Sequence, residues 1–384
     1  MTYDIGILGA GKTGRGFIGR LLKENKKEFV FFDKSKSLIE MFQAGKYEVA
    51  FFSGKRPPMI IDGFFAYHIK DAKCEKILSK LSTLFVSIGG TNIKDAAQWL
   101  ASNMKKELIY RSYPLNIILC ENARDPAEKF KKEFLAVLTS SEREQAEKMI
   151  GFSDAAVFCT TIQKNDGSIN INSENYPNLH FDATKINGLM PELTGFLPVT
   201  DFENLLMRKI YTYNSASAVI AYLGWGKNYT IYGDAANDTE ILELLDKHYE
   251  QINRAVCAEY GYSTESQCAF AKMSRDKFCD RSIIDSIERN AREPRRKLSA
   301  GERIIGPAVL IEKHNGDTGV MALTAAAAML YESNNETEWV NLIKEKSLGR
   351  AFLETTGLHK EDTFYNHVME KIKALKICGR GKLK

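Results

Sequence analysis

Residues 4–9 (Asp-Ile-Gly-Ile-Leu-Gly) read as a short strand buried on both faces. A glycine-rich turn follows, and residues 17–23 then carry apolar side chains at helical spacing. Residues 28–33 (Glu-Phe-Val-Phe-Phe-Asp) form a second, aromatic-rich strand that stops on a carboxylate. This order is the opening β-α-β unit of a doubly wound parallel sheet, an α/β architecture. Two later runs, 84–88 ending at Gly89-Gly90 and 115–120 ending at Glu121-Asn122, extend the sheet. Strands that stop at Gly, Asp or Asn deliver loops to one edge of such a sheet, the edge at which it binds ligands.

From about residue 200 the period changes, and helical spacing runs through 201–223, 238–260, 317–332 with its four consecutive alanines, and 361–376. Pro191 and Pro198 bracket the change, which places a Rossmann-type domain over 1–195 and a mostly helical domain over 196–384. Cys257, Cys268 and Cys279 recur every eleven residues, close to three helical turns, and are expected to pack in the core of a helical face. The basic tail 379–384 reads as a solvated terminus.

Composition narrows the function. The chain has 384 residues, 44% hydrophobic and 27% charged, enough for two globular domains. Its formal charge of +4 is far below the basic field of a dedicated nucleic-acid binder and suits a small anionic ligand better. No apolar run approaches a membrane span, and the N-terminus lacks the pattern of a secretory leader, so a cytoplasmic protein is expected. Seven scattered cysteines without a C-x-x-C pair, and six histidines without metal spacing, point to reduced thiols and no metal.

Gly9-Ala10-Gly11-Lys12-Thr13-Gly14 fits the dinucleotide fingerprint between a strand and a helix. The first glycine permits the turn, the second admits a pyrophosphate, and the third packs helix on strand, while the helix N-terminus, with Lys12 and Thr13, faces the phosphates. Residues 6–13 also satisfy the Walker A pattern, so a P-loop NTPase stays open. That alternative requires Ile7 and Leu8 to leave the strand for a solvated loop. Asp33, 19 residues beyond Gly14, stands where an acid holds the adenosine ribose and repels a 2′-phosphate, which favours NAD over NADP; Lys34 and Lys36 pull the other way.

The longer string Gly9-Ala10-Gly11-Lys12-Thr13-Gly14-Arg15-Gly16-Phe17-Ile18-Gly19 resembles the N-terminal signature of the polyol-specific long-chain dehydrogenase family. Three further blocks resemble that family in its order: Pro114-Leu115-Asn116-Ile117-Ile118-Leu119-Cys120-Glu121-Asn122; Lys209-Ile210-Tyr211-Thr212-Tyr213-Asn214 followed by Ala221-Tyr222-Leu223-Gly224; and Arg296-Lys297-Leu298-Ser299-Ala300-Gly301-Glu302-Arg303. The resemblance implies a Rossmann domain followed by a helical domain, hydride exchange between a polyol and NAD, no metal, and a leaning towards a monomer. It implies a sugar alcohol phosphate and a ketose phosphate as substrates, with mannitol 1-phosphate and fructose 6-phosphate as the leading pair. By position Lys209 matches the family's general base, and Asn122 and Asn214 match carboxamides that steady the alkoxide. A lysine serves as base near neutral pH when burial or nearby cations lower its pKa. Lys209 and Asn214 are five apart, roughly 140° around an ideal helix, so both line one cleft only if the lysine stem reaches around or the helix is distorted. Without the surrounding block, Lys209 beside Arg208 would read as a solvated surface cation.

Two positions depart from the family. Ser217 stands where a histidine is usual, three residues after Asn214, and Phe158-Cys159 stand where Asp-Arg is common. A changed substrate is the simplest consequence, so an unphosphorylated polyol or a sugar acid, or an NAD-binding protein with impaired chemistry, remain alternatives. The basic stretch Arg292, Arg295, Arg296, Lys297 and Arg303 is interrupted by Glu293 and Glu302. The family block makes Lys297 and Arg303 the preferred substrate-phosphate ligands, with Ser217 nearby. Residues 299–302 also match a capping box, so a helix is expected to start there.

Overall fold

The computed structural model describes residues 4–122 and 125–377. Two compact units divide after Phe202. The first unit is built on an eight-stranded sheet. Its strands are β1 (Ile5–Leu8), β2 (Phe29–Asp33), β5 (Phe64–His68), β6 (Thr83–Val86), β7 (Leu115–Leu119), β8 (Ile150–Ala156), β11 (Leu179–Asp182) and β12 (Phe196–Val199), in spatial order β12-β11-β8-β7-β6-β1-β2-β5. All neighbours run parallel except β8 and β11. The chain builds outward from β1 to β2 and β5, then returns to β6 on the other side, which makes the β1/β6 boundary the topological switch point. Continuous apolar runs such as Phe29-Val30-Phe31-Phe32 form these strands because both faces are covered.

On one face pack α2 (Ile93–Leu108) and α3 (Pro126–Ala136), whose buried residues recur at helical spacing. On the other face lies the helix that follows the glycine loop, a π segment Gly14–Gly19 continued by α1 (Arg20–Glu24). A second sheet, β3 (Tyr47–Phe51), β4 (Met59–Ile61), β9 (Thr161–Gln163) and β10 (Ile171–Ser173), covers that helix in the order β4-β3-β10-β9.

The second unit is helical. Residues 202–226 form one helical run: α4 (Phe202–Lys209), a π turn Ile210–Asn214, and α5 (Ser215–Gly226). Around α5 lie α6 (Thr239–Tyr260), α7 (Thr264–Cys279), α8 (Ile305–Lys313), α9 (Gly319–Leu330) and α10 (Thr363–Ile377), which share one core. The alanine run of α9 is buried throughout, and α9 packs against α5 and α10.

Two expectations are corrected. Cys257, Cys268 and Cys279 do not lie on one continuous helix or in one core: Cys257 is on α6, which Gly261 at φ 72° ends, Cys268 and Cys279 are on α7, which Ser263 caps, and Cys268 is exposed while the other two are half-buried. No capping box forms over 299–302 either. Ser299 Oγ donates to Arg296 O (2.7 Å), Glu302 pairs with arginines, and α8 starts only at Ile305. Among the described residues no cysteine is in a disulfide, and no helix is long and apolar enough to cross a membrane. Cys378 and the basic tail 379–384 lie outside the described residues.

Candidate active site

In the first unit the glycine loop joins β1 to its helix at the switch point. Gly9 has φ 95°, and a Cβ there would lie 2.1 Å from Ser87 O, so only glycine fits this turn. A Cβ on Gly14 would lie 2.2 Å from Gly9 O, which is the close packing of helix on strand that the third glycine permits. Gly11 faces open space. Ile7 and Leu8 stay buried in β1, which excludes a Walker loop begun at Gly6. Lys12 is exposed and Thr13 half-buried at the helix start. Asp33, at the end of β2, accepts from Ala10 N (2.7 Å) and Ser35 N (2.8 Å), so its carboxylate is fixed against the loop with lone pairs to spare for a hydroxyl. Lys34 bonds Asn92 Oδ1 (2.7 Å) and Lys36 pairs with Glu40 (3.8 Å), so each lysine has a carboxamide or carboxylate beside it.

Arg15, quoted in the motif but given no role from sequence, is buried inside this loop. Its guanidinium donates to Ala10 O, Gln163 Oε1 and Ile169 O (3.0 Å), tying the loop to the covering sheet. Glu121, also without a role in the sequence reading, follows β7 and accepts from Ile88 N (2.5 Å) and Gly89 N (2.8 Å), joining the carboxyl ends of β6 and β7. Burial raises its carboxyl above the usual range, and the two N–H bonds oppose that shift. Asn122 comes next and is exposed. Phe158 and Cys159 are both buried: Phe158 packs near Tyr176 and His180, and Cys159 joins the apolar core. Two positions at which the resemblance led to an expectation of charge are packing residues in this chain.

In the second unit Lys209 is the last residue of α4 and only 6% exposed, so it is not a surface cation. Burial, Arg303 and then Lys277 lower its ammonium to about 7. The helical distortion required to put Lys209 and Asn214 on one face is present between them. In the π turn Ile210–Asn214 the N–H of Ser215 bonds Ile210 O, five residues back, so positions five apart stack along the axis. Asn214 and Ser217, three residues further along, are half-buried. Ser217 Oγ accepts from Tyr232 OH (3.1 Å); burial holds that phenol far above its ordinary range, so it stays a donor and leaves the serine hydrogen for another acceptor. Tyr232 escaped the sequence reading because nothing local marks it.

Lys297 and Arg303 come into the same neighbourhood. Arg303 is the largest charge acting on both Lys209 and Lys297. Lys297 is 4% exposed, its Nζ donates to Asn290 O and lies 5.8 Å from the Tyr222 ring centroid, and burial pushes it well below the lysine range. Glu302 is shared by Arg303 Nε (3.3 Å) and Arg296 Nη1 (3.3 Å), while Arg296 also meets Glu293 (2.8 Å). Arg292 and Arg295 are exposed: Arg292 still acts on Lys297, after Arg303 and Arg296, while Arg295 pairs with Glu354 (3.7 Å).

Comparison with known proteins agrees with this architecture. Residues 5–195 match the mannitol dehydrogenase Rossmann domain, and residues 201–373 match the mannitol dehydrogenase C-terminal domain. The mannitol-1-phosphate 5-dehydrogenase of Bacillus velezensis is 28% identical over 95% of this chain and 98% of its own length. That of Brevibacillus brevis is 27% identical over 96% and 97%. Among solved structures, a mannitol 2-dehydrogenase of Pseudomonas fluorescens in ternary complex with NAD and D-mannitol superposes with a TM-score of 0.81 at 12% identity, covering 99% of this chain and 93% of that one. A D-sorbitol dehydrogenase in substrate-free form gives 0.80 at 16% identity, with 99% and 94% covered. With both domain models matched in order and nearly the whole chain spanned, the protein belongs to the mannitol dehydrogenase family.

Proposed function

We infer that the protein is an NAD-dependent oxidoreductase that interconverts a sugar alcohol phosphate and a ketose phosphate, with mannitol 1-phosphate and fructose 6-phosphate as the pair. The observation that carries this is Lys209, a buried lysine lowered to about 7 beside Arg303 at a π turn that also bears Asn214. In oxidation its neutral amine takes the proton from the alcohol oxygen as hydride leaves the carbon that bears that oxygen; in reduction its ammonium returns a proton to the oxygen. Asn122 and Asn214 donate to the oxygen as charge develops on it, which adds no further buried charge. Lys297 and Arg303 bind the substrate phosphate, and Ser217 donates to a substrate hydroxyl. On the first unit, read as the NAD domain, Gly9, Gly11 and Gly14 leave room for the pyrophosphate, Lys12 and Thr13 flank it, and Asp33 holds the ribose. Bound NAD supplies the hydride acceptor. The fit rests on the open side of Gly11 and the spare lone pairs of a fixed Asp33 carboxylate.

Absorbance of NADH with fructose 6-phosphate, fructose, other ketose phosphates and sugar acids tests this reading, with fructose 6-phosphate expected to turn over selectively. Lys209→Ala should lose turnover by about 100-fold or more while binding NADH normally. Undiminished turnover removes Lys209 from the mechanism. One observation favours a second substrate: Glu302 neutralises part of the Arg296 and Arg303 charge, which suits an unphosphorylated polyol. Arg303→Gln separates the two, because a phosphorylated substrate loses apparent affinity and an uncharged polyol keeps it.

A further inference from the structure

Arg208 and Thr212 flank and enter the π turn, and one side chain from another helix bonds both. Gln267, fully buried on α7, accepts from Arg208 Nε (2.8 Å) through Oε1 and donates through Nε2 to Thr212 Oγ1 (2.9 Å) and Asn253 Oδ1 (2.9 Å). Arg208 is itself held: Nη2 donates to the carbonyl (2.6 Å) and hydroxyl (3.0 Å) of Ser266, and the guanidinium lies 4.1 Å from the Tyr262 ring centroid and 4.3 Å from that of Phe270. Tyr213, inside the turn, packs edge-on against Phe270 at 4.9 Å.

A π turn amounts to an α-helix with one surplus residue, and it persists only where its surroundings hold it. Relaxation to α geometry would rotate everything after the turn by roughly 100° relative to Lys209, carrying Asn214 and Ser217 off the lysine's face. A carboxamide fixed to residues 208 and 212 at once opposes that rotation. We propose that Gln267 is a positioning residue that bridges Arg208 and Thr212, locks the π turn and so holds Lys209 and Asn214 on one face. The proposal rests on the reading of Lys209 as the base. Gln267 reaches the chemistry only through the turn; its own bonds go to Arg208, Thr212 and Asn253.

The test uses the full chain with NADH and fructose 6-phosphate and four variants: Gln267→Leu, Thr212→Val, Thr212→Ser and Lys209→Ala. Thr212→Val keeps the shape and removes the hydroxyl that Gln267 bonds, and it keeps the test open if Gln267→Leu fails to fold. Both Gln267→Leu and Thr212→Val should lower kcat by about 10- to 100-fold with NADH affinity unchanged. They should also move the pH midpoint of ketose reduction upward from about 7, because a displaced Lys209 returns towards the ordinary lysine range. Thr212→Ser should restore both. A Thr212→Val enzyme with normal kcat and midpoint overturns the proposal even if it is less stable, and so does equal loss in Thr212→Val and Thr212→Ser. If Lys209→Ala keeps its turnover, the base assignment fails instead; loss there beside an indifferent Thr212→Val sinks the clamp alone.

Discussion

A lysine ammonium buried among cations is disfavoured twice, once by lost hydration and once by repulsion, so Lys209 spends much of its time at neutral pH as the free amine. The direction of the reaction then decides the sign of the pH dependence. With Lys209 as the proposed base, polyol oxidation would need the amine, so its kcat should rise through about pH 7 and level off above it; ketose reduction would need the ammonium and should fall over the same interval. Arg303 is the larger of the two charges acting on Lys209, so Arg303→Gln should displace both limbs to higher pH, and Lys277→Gln should displace them less. Steady-state rates in both directions from pH 5.5 to 9 check this, and profiles that stay flat in both directions contradict it.

The glycine loop as an element makes two separable demands. Gly14 is needed by the protein itself, since a methyl there meets the Gly9 carbonyl at 2.2 Å, and backbone must shift to admit it. Packing does not require Gly11, since a methyl there meets nothing within 4 Å; its proposed use is to admit the pyrophosphate. Gly14→Ala should therefore cost about 1–3 kcal/mol of stability as well as NADH affinity. Gly11→Ala should leave urea unfolding unchanged and still weaken NADH by about tenfold or more, roughly 1.4 kcal/mol. Wild-type NADH binding by Gly11→Ala would reject the pyrophosphate role. Elements of this kind were legible in the sequence because strands covered on both faces are plain apolar runs and the fingerprint spaces its glycines rigidly. The π turn was legible only as a demand. Five residues of mixed character over 210–214 do not distinguish an i→i+5 turn from an α turn, whereas the Lys209 to Asn214 spacing required some distortion. The capping-box match failed because Glu302 had stronger partners in two arginines, and the cysteine period failed because Gly261 broke the helix that would have carried it.

At the scale of the whole chain, the order of Rossmann and helical parts followed from a change of hydrophobic period. The cationic group of the second unit did not, because Lys209, Lys297 and Arg303 come together only through folding, and the family block offered Lys209 a role as base without its burial. That burial has a consequence for stability. An unfolded lysine stays protonated up to about 10.5, whereas Lys209 in the fold gives up its proton near 7, so between these values the unfolded state binds more protons and stability rises with pH. Below about 7 both states are charged and the fold bears the full cost, on the order of 5 kcal/mol. Lys209→Met keeps the length and removes the charge. It should stabilise the protein at pH 6 by a few kcal/mol, and the gain should shrink steadily from pH 7 and be nearly gone at 10.5. Urea unfolding of the two proteins at pH 6, 8 and 10 measures the difference, in which the other titrating groups cancel. A gain that is absent at pH 6, or that grows with pH, would mean that the lysine is solvated; a gain that shrinks as described, in a variant that has lost turnover, would mark Lys209 as a residue held against stability for the proton it moves.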